Sequence, residues 1–197
     1  MNALQYFITE FLNQNKSEDS RLMLLAPSEL PGSDWLVRGK RTWRTGSGVK
    51  HRSERSERAY RAGVFCAWCT FKQLSPIERN IWTEVMPFAT EADAEMEVPN
   101  VRDGFVINER SELRLREERL IDDQKIPGVS NSLVLEQLTI GRNGPGIARY
   151  AAGNVDRIVF VISCFGDGDC WSWNEVMDVA SKQAEKIREA LLIRSAQ

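Results

Sequence analysis

Four cysteines form two close pairs, and thiols at such spacings suggest redox chemistry or metal binding. Cys66 and Cys69 make a C-x-x-C motif, and Cys164 and Cys170 are separated by five residues. A redox-active C-x-x-C usually lies where a strand gives way to a helix, because the helix N-terminus lowers the thiol pKa. Here apolar residues flank the motif and predict a strand, so the two side chains should point to opposite faces. We therefore expect neither a thioredoxin-like role nor a four-cysteine zinc site.

The second cysteine pair brackets the acidic loop Gly166-Asp167-Gly168-Asp169. Its two glycines make the loop flexible enough to close, so Cys164 and Cys170 are a candidate disulfide in an oxidising compartment. A cross-sheet pair with Cys66 or Cys69 is an alternative. In the cytosol all four thiols can stay free, with Cys66 and Cys69 as small half-buried residues.

Other residues that could carry catalysis are few. The single histidine, His51, lies in a charged loop, and no serine stands in a G-x-S-x-G setting. The glycine-rich segment 141–146 lacks the Lys-Ser/Thr of a Walker loop. Asp167-Gly168-Asp169 resembles the start of a calcium loop, but the closing glutamate position falls on Asp178, inside a predicted helix. We predict a non-enzymatic protein without a cofactor or metal; thiol or metal binding through the cysteines is one alternative.

Charge is unevenly spread along the chain. The whole chain has 26 basic and 28 acidic residues, a net charge of −2, but segment 38–61 has nine basic residues against two acids, and segment 91–123 has eleven acids against five arginines. Because aromatic anchors and arginine pairs dominate binding energy, we predict a surface for a protein partner or small ligand in the basic segment. The candidate partner-binding residues are Arg38, Arg41, Trp43, Arg44 and Tyr60. Nucleic-acid binding is the alternative, with Trp43 and Tyr60 stacking on bases.

The C-terminal end carries the strongest signals for structure. Ser172 and Glu175 form a capping box that predicts a helix from residue 171 to about 194. Asp178 and Lys182 are placed for an i,i+4 ion pair. One apolar stripe runs along this helix through Trp173, Val176, Ala180, Ala184, Ile187 and Leu191. Upstream, Gly153-Asn154 predicts the two-residue turn of a hairpin whose second strand is central in its sheet.

The remaining elements indicate an α+β fold. Strands are predicted over residues 35–45, 59–74, 112–120 and 133–140, with Trp35 and Val37 pointing inward. A capping box over residues 75–78 predicts a short helix through Val85, and Thr90 with Asp93 starts a second helix. Turns join most adjacent strands. We therefore predict a mostly antiparallel sheet of about six strands, covered by helices and ending in the long C-terminal helix.

We divide the chain into an N-terminal amphipathic helix with its linker (residues 1–20) and a single α+β sandwich domain (residues 21–197). The first helix can pack on the domain, on a second copy to form a homo-oligomer, or on another protein. No apolar run approaches a membrane span, and residues 1–18 do not have the pattern of a signal peptide. The sequence as it stands predicts a cytoplasmic protein; a trimmed mature fragment would be extracytoplasmic.

Two stretches resemble a known family. Residues 24–31, Leu-Leu-Ala-Pro-Ser-Glu-Leu-Pro, followed by Trp35, resemble the opening of actinobacterial sensor-like domains. Residues 151–155 followed by residues 180–187 resemble their closing strand and helix. The best-known members are extracytoplasmic domains of PknH-type receptor kinases and related lipoproteins, which are similar to PsbP-like sandwiches. The resemblance covers roughly residues 24–191. It implies a binding or sensing module with a cleft between sheet and helix, and no catalytic motif.

Overall fold

The computed structural model describes residues 20–44, 65–88, 90–102, 114–141 and 144–195. Seven strands form one antiparallel sheet in the order β1-β2-β3-β7-β6-β5-β4, with β1 and β4 at its edges. The strands are β1 (Leu36–Arg44), β2 (Phe65–Gln73), β3 (Arg79–Pro87), β4 (Arg114–Leu120), β5 (Ser132–Gly141), β6 (Gly144–Val155) and β7 (Ile158–Gly166). The helices are α1 (Glu91–Glu97), which continues into a 3-10 turn, and α2 (Trp173–Ser195). The predicted α+β class and antiparallel sheet are confirmed.

Both faces of the sheet carry an apolar core. Alternate residues of β7 divide between them: Ile158, Phe160 and Ile162 belong to the core under α2, whereas Val159 and Val161 belong to the core near α1. Side chains on a strand alternate between faces, so a strand covered on both sides has apolar residues at successive positions. The apolar residues of β7 had predicted a central strand, and β7 is central in the sheet.

Local capping and a packed stripe position helix α2. The Ser172 N–H donates to Glu175 Oε2 at 3.0 Å and the Glu175 N–H donates to Ser172 Oγ at 3.3 Å, which confirms the capping box. Lys182 pairs with Asp178 at 2.8 Å. The predicted stripe is buried in the core or packed against it. The segment before β1 covers the same face through Met23, Leu24, Leu25, Leu30 and Trp35.

The hairpin between β6 and β7 turns at a different place from the one predicted. Val155 pairs with Ile158, so the turn residues are Asp156, with φ of 50°, and Arg157. Gly153 lies inside β6. A Cβ there would meet Val129 Cγ1 at 2.7 Å and the Asn131 carbonyl oxygen at 3.1 Å. The glycine therefore serves close packing against residues 129–131 and not the turn.

The helix predicted from residue 75 through Val85 is also wrong, because residues 79–87 form β3. Ile81, Thr83 and Val85 face α2, whereas Trp82, Glu84 and Met86 lie on the other face. The prediction rested on the local capping pattern of residues 75–78, whereas β3 is stabilised by pairing with β2 and β7 and by burial on both faces. Downstream, Thr90 caps α1 as predicted, by accepting a hydrogen bond from the Asp93 N–H at 3.1 Å.

Candidate functional site

The predicted partner-binding residues are distributed along and beyond the edge strand β1. Arg38 and Arg41 are exposed, and Lys40 between them is exposed too. Trp43 and Arg44 occupy the end of β1, where their backbones pair with Cys66 and Phe65. The side chains of Trp43 and Arg44, and all of Tyr60, His51 and residues 1–19, lie outside the described residues. Binding at this surface and the role of the N-terminal helix therefore stay predictions.

The cations of β1 project from both faces of the edge strand. Lys40 pairs across the ladder with Cys69, on the α2 face, and Arg41 pairs with Trp68, on the opposite face. An irregularity between Val37 and Gly39 places Arg38 at a bulge. Val37 stands opposite Phe71, on the α2 face as predicted, but it is 50% exposed because β1 is an edge strand with a distorted register. This surface thus presents cations next to apolar side chains.

The cysteines take the predicted strand positions. Cys66 and Cys69 lie in the two separate cores, on opposite faces of β2. All four thiols are free in the structure. Burial raises the pKa of Cys69, and the nearby Lys40 charge only partly opposes this shift. These are the properties of packed thiols, whereas a reactive cysteine normally has a lowered pKa.

Cys164 and Cys170 bracket the acidic loop as predicted, Cys164 fully buried and Cys170 half-buried. Burial raises the pKa of both thiols. The positive charge of the Arg79 guanidinium lowers it, but by less than burial raises it. Cys170 Sγ lies over Gly166, 2.7 Å from where a Cβ would stand. A Cys164–Cys170 disulfide stays a prediction.

The acidic loop is attached to the sheet at several points. The Asp167 N–H donates to the Glu78 carbonyl and the Gly168 carbonyl accepts from the Ile147 N–H, both at 3.1 Å. The Asp169 carboxylate binds Arg149 through Nη1 at 2.5 Å and Nη2 at 3.3 Å. Among the described residues no group of three acidic, histidine or cysteine side chains is arranged to hold a metal ion. The loop is thus an anchored link between β7 and α2.

A row of alternating charges that the sequence did not reveal crosses the sheet over β4, β5 and β6. Arg119 stands opposite Glu136, which stands opposite Arg149. Glu136 Oε1 accepts from Arg119 Nη2 and Glu136 Oε2 accepts from Arg149 Nε, both at 3.0 Å. Cross-strand pairs of opposite charge stabilise a sheet, and here they continue into the acidic loop through Asp169. We call Arg119, Glu136, Arg149 and Asp169 the ionic ladder.

A cleft opens where the ionic ladder meets helix α2. Its volume is about 350 Å³, and it lies between the end of β4, the following turn and the first residue of α2. The guanidinium of Arg149 lies 5.3 Å from the centroid of the Trp173 ring, within the range of a cation–π contact. The lining residues are Arg119, Leu120, Ile121, Asp122, Asp123, Gln124 and Trp173.

The sequence contained only an indirect signal for this cleft. Arg119 and Glu136 are 17 residues apart, and Trp173 is still farther along the chain. Their proximity depends on the register of three strands, which the sequence does not state. The family resemblance did imply a cleft between sheet and helix, although not its residues.

A comparison with solved structures finds the same fold in the crystal structure of the extracellular domain of PknH from Mycobacterium tuberculosis. The TM-score is 0.61 at 12% sequence identity, and the match covers 88% of this chain and 96% of that domain. The predicted resemblance is thereby confirmed at the level of the fold. No protein-family profile matches the chain, and no curated protein matches it by sequence. Within the described residues, no helix is long and apolar enough to span a membrane.

Proposed function

We propose that this chain is a non-enzymatic, sensor-like binding module whose partner docks on the basic surface of β1. One observation carries the proposal: Arg38, Lys40 and Arg41 are exposed on an edge strand, and none of them forms an ion pair with an acidic residue of the described part. Three exposed cations on one strand make a local positive field, partly offset by Glu78 near Arg38, that attracts an acidic protein surface. The fold supports the sensor-like assignment by analogy only, because one fold can serve many functions.

Apolar neighbours of these cations support a protein partner. Leu36 and Val37 are 52% and 50% exposed at the start of β1, beside Arg38. Stable interfaces combine apolar anchors with arginine pairs, which is the combination that this strand presents. Trp43, Arg44 and Tyr60 remain candidate residues for binding this partner. Interactions of this type would be weakened by salt and by charge reversal.

We also propose that the module works outside the cytoplasm. The similar fold is that of an extracellular domain, which supports this location by analogy. An oxidising compartment would favour the Cys164–Cys170 disulfide and would leave Cys66 and Cys69 as buried thiols.

Site-specific photo-cross-linking in the native organism tests the docking surface. A photoreactive residue at Val37 should give a discrete cross-linked product, whereas the same residue at exposed Met96 on α1 should not give that product. Arg41→Glu combined with Arg44→Glu should reduce the Val37 product about tenfold or more without unfolding the domain. Lys125→Glu, an exposed charge reversal outside β1, should leave it unchanged.

The cross-linked products distinguish a protein partner from a nucleic acid. A Val37 product that nuclease removes would favour the nucleic-acid alternative over a protein. Equal products from Val37 and Met96, or loss of folding in the Arg41/Arg44 variant, would contradict the proposed docking surface. Circular dichroism and thermal melting of each variant report the folding.

A further inference from the structure

We propose that the cleft at Trp173 binds a neutral, polyhydroxylated ring, that is, a sugar unit or a similar cyclic polyol. This second site is independent of the docking surface, since it lies beside β4 and β1 forms the opposite edge of the sheet. Its volume of about 350 Å³ lies near the lower limit of small-molecule sites.

Hydrogen bonds hold the backbone of one wall of the cleft. The Ile121 N–H donates to the Val134 carbonyl at 2.9 Å, which continues the pairing of β4 with β5 by one bond, and the Gln124 N–H closes a turn on the Ile121 carbonyl at 3.4 Å. Ile121 and Trp173 both pack against the core beneath α2. A backbone that is already held loses less conformational entropy when a ligand binds.

One wall offers an apolar surface and the others offer complementary polar groups. Trp173 is half-buried and lines the cleft, so it offers apolar area, whereas Leu120 pairs with Leu135 and its side chain lies on the other face of the sheet. Asp122 and Asp123 carboxylates only accept hydrogen bonds, the Arg119 guanidinium only donates them, and the Gln124 amide does both. The side chains of Asp122, Asp123 and Gln124 form no hydrogen bond or ion pair within the described residues. Hydroxyl groups, which donate and accept, fit this mixture.

The charges around the cleft disfavour an ionic ligand of either sign. Asp122 and Asp123 would repel an anion. A cation would meet the exposed guanidinium of Arg119, and the Trp173 ring is already polarised by Arg149. A neutral ring with an apolar face and hydroxyl edges avoids both penalties. The geometry therefore favours a saccharide over an amine or a phosphate.

Nuclear magnetic resonance of the tryptophan indole N–H groups tests this inference on the full chain. Trp173→Phe assigns the Trp173 signal, and the stacked Trp35 and Trp171 pair in the core provides internal references. The probes are methyl glycosides of the common hexoses, pentoses and N-acetylhexosamines in both anomers, with choline as the cationic probe and inorganic phosphate as the anionic probe. We expect at least one glycoside to shift the Trp173 signal saturably, with a dissociation constant of about 1 mM.

Variants then connect the shift to the proposed contacts. Asp122→Asn combined with Asp123→Asn should raise the dissociation constant about tenfold, and Asp178→Asn on the exposed side of α2 should not change it. Trp173→Ala should abolish binding; if it fails to fold, the Asp122/Asp123 variant still provides the test. The proposal is overturned if no glycoside moves the Trp173 signal, if only choline or phosphate moves it, or if the double variant binds normally.

Discussion

Arg149 and Asp169 form a bidentate ion pair that connects strand β6 to the loop before helix α2. The pair joins Nη1 to Oδ1 at 2.5 Å and Nη2 to Oδ2 at 3.3 Å. The Arg149 side chain is only 9% exposed and also donates to Glu136, whereas that of Asp169 is 54% exposed. The buried arginine is therefore shared by two carboxylates, and it lies against the ring of Trp173.

We predict that Arg149→Met lowers the free energy of unfolding by about 2–3 kcal/mol, because it leaves partly buried Glu136 with Arg119 alone. Asp169→Asn should cost less than about 1 kcal/mol, because its carboxylate is mostly solvated. Urea denaturation measures both changes. Lys182→Met, which removes an exposed ion pair of α2, is the matched control at about 0.5 kcal/mol or less. An Arg149 variant as stable as this control would contradict a stabilising role for the ionic ladder.

Gly153 is predicted to reject even a methyl group. Gly153→Ala should lower the free energy of unfolding by about 1–3 kcal/mol, because the new Cβ would overlap Val129 Cγ1. Val129→Ala in the same chain should recover part of this loss, a coupling that a double-mutant cycle measures by thermal or urea unfolding. Gly146→Ala is the matched control, since its nearest neighbour would be the Gly166 carbonyl oxygen at 3.4 Å. Independent effects at residues 153 and 129 would refute the packing role.

The elements that the sequence predicted well are those specified by nearby residues. Helix α2 has its capping box, apolar stripe and ion pair within its own span, so all three were readable. The predictions of a helix in place of β3 and of a turn at Gly153-Asn154 were wrong because contacts with residues far along the chain determine both structures. Two cores bury both faces of β3, and Val129 with Asn131 makes the Gly153 position tight. Local turn and capping patterns are weak against such tertiary contacts.

The residues of the candidate site were also predictable only where neighbouring residues determine their placement. Cys66 and Cys69 were placed correctly on opposite faces, since two residues on one strand need only its alternation. The ionic ladder needs the mutual register of β4, β5 and β6, and the cleft needs α2 to begin against them. The spacing of residues along the chain predicts neither the mutual register of these strands nor the position of α2 against them. The charged residues of β4 therefore did not predict that its end forms one wall of a cleft.

Glu175 should make stability depend on acid pH. Burial alone would raise the pKa of this carboxyl, but hydrogen bonds from the Ser172 N–H and hydroxyl, and the Arg79 guanidinium, lower it below 4.5. The unfolded chain then takes up the proton first as pH falls, so the contribution of Glu175 is present above pH 4.5 and is lost through its lowered pKa.

The measurement is the free energy of unfolding of Glu175→Gln against pH. At pH 7 the variant should be about 1 kcal/mol less stable, since glutamine keeps the capping geometry but loses the charge beside Arg79. The difference from the unmodified chain should shrink as pH falls below about 4.5. Exposed Glu185→Gln on the same helix should show little difference at any pH. A constant difference for Glu175→Gln would exclude the charge as its cause.

The structure limits which cysteines can pair. Strand β3 lies between β2 and β7, so two strand spacings, about 10 Å, separate Cys69 from Cys164, more than a disulfide spans. Cys66 faces the opposite core. Cross-sheet pairs of Cys164 with Cys66 or Cys69 are thereby excluded, and Cys170 is the partner of Cys164 that the strand order leaves open.

We predict that diamide, a two-electron thiol oxidant, lowers the number of free thiols by two. The Cys164–Cys170 bond should raise the free energy of unfolding by about 2 kcal/mol, because the closed loop is short. Cys66→Ser should still lose two thiols, whereas Cys170→Ser should lose none. Thiol counting after denaturation and peptide mapping give the answer. Before oxidation, half-buried Cys170 should be alkylated first, because Cys66, Cys69 and Cys164 are at most 2% exposed. Loss of thiols in Cys170→Ser would show that another pair forms, and that the acidic loop is not closed by its own cysteines.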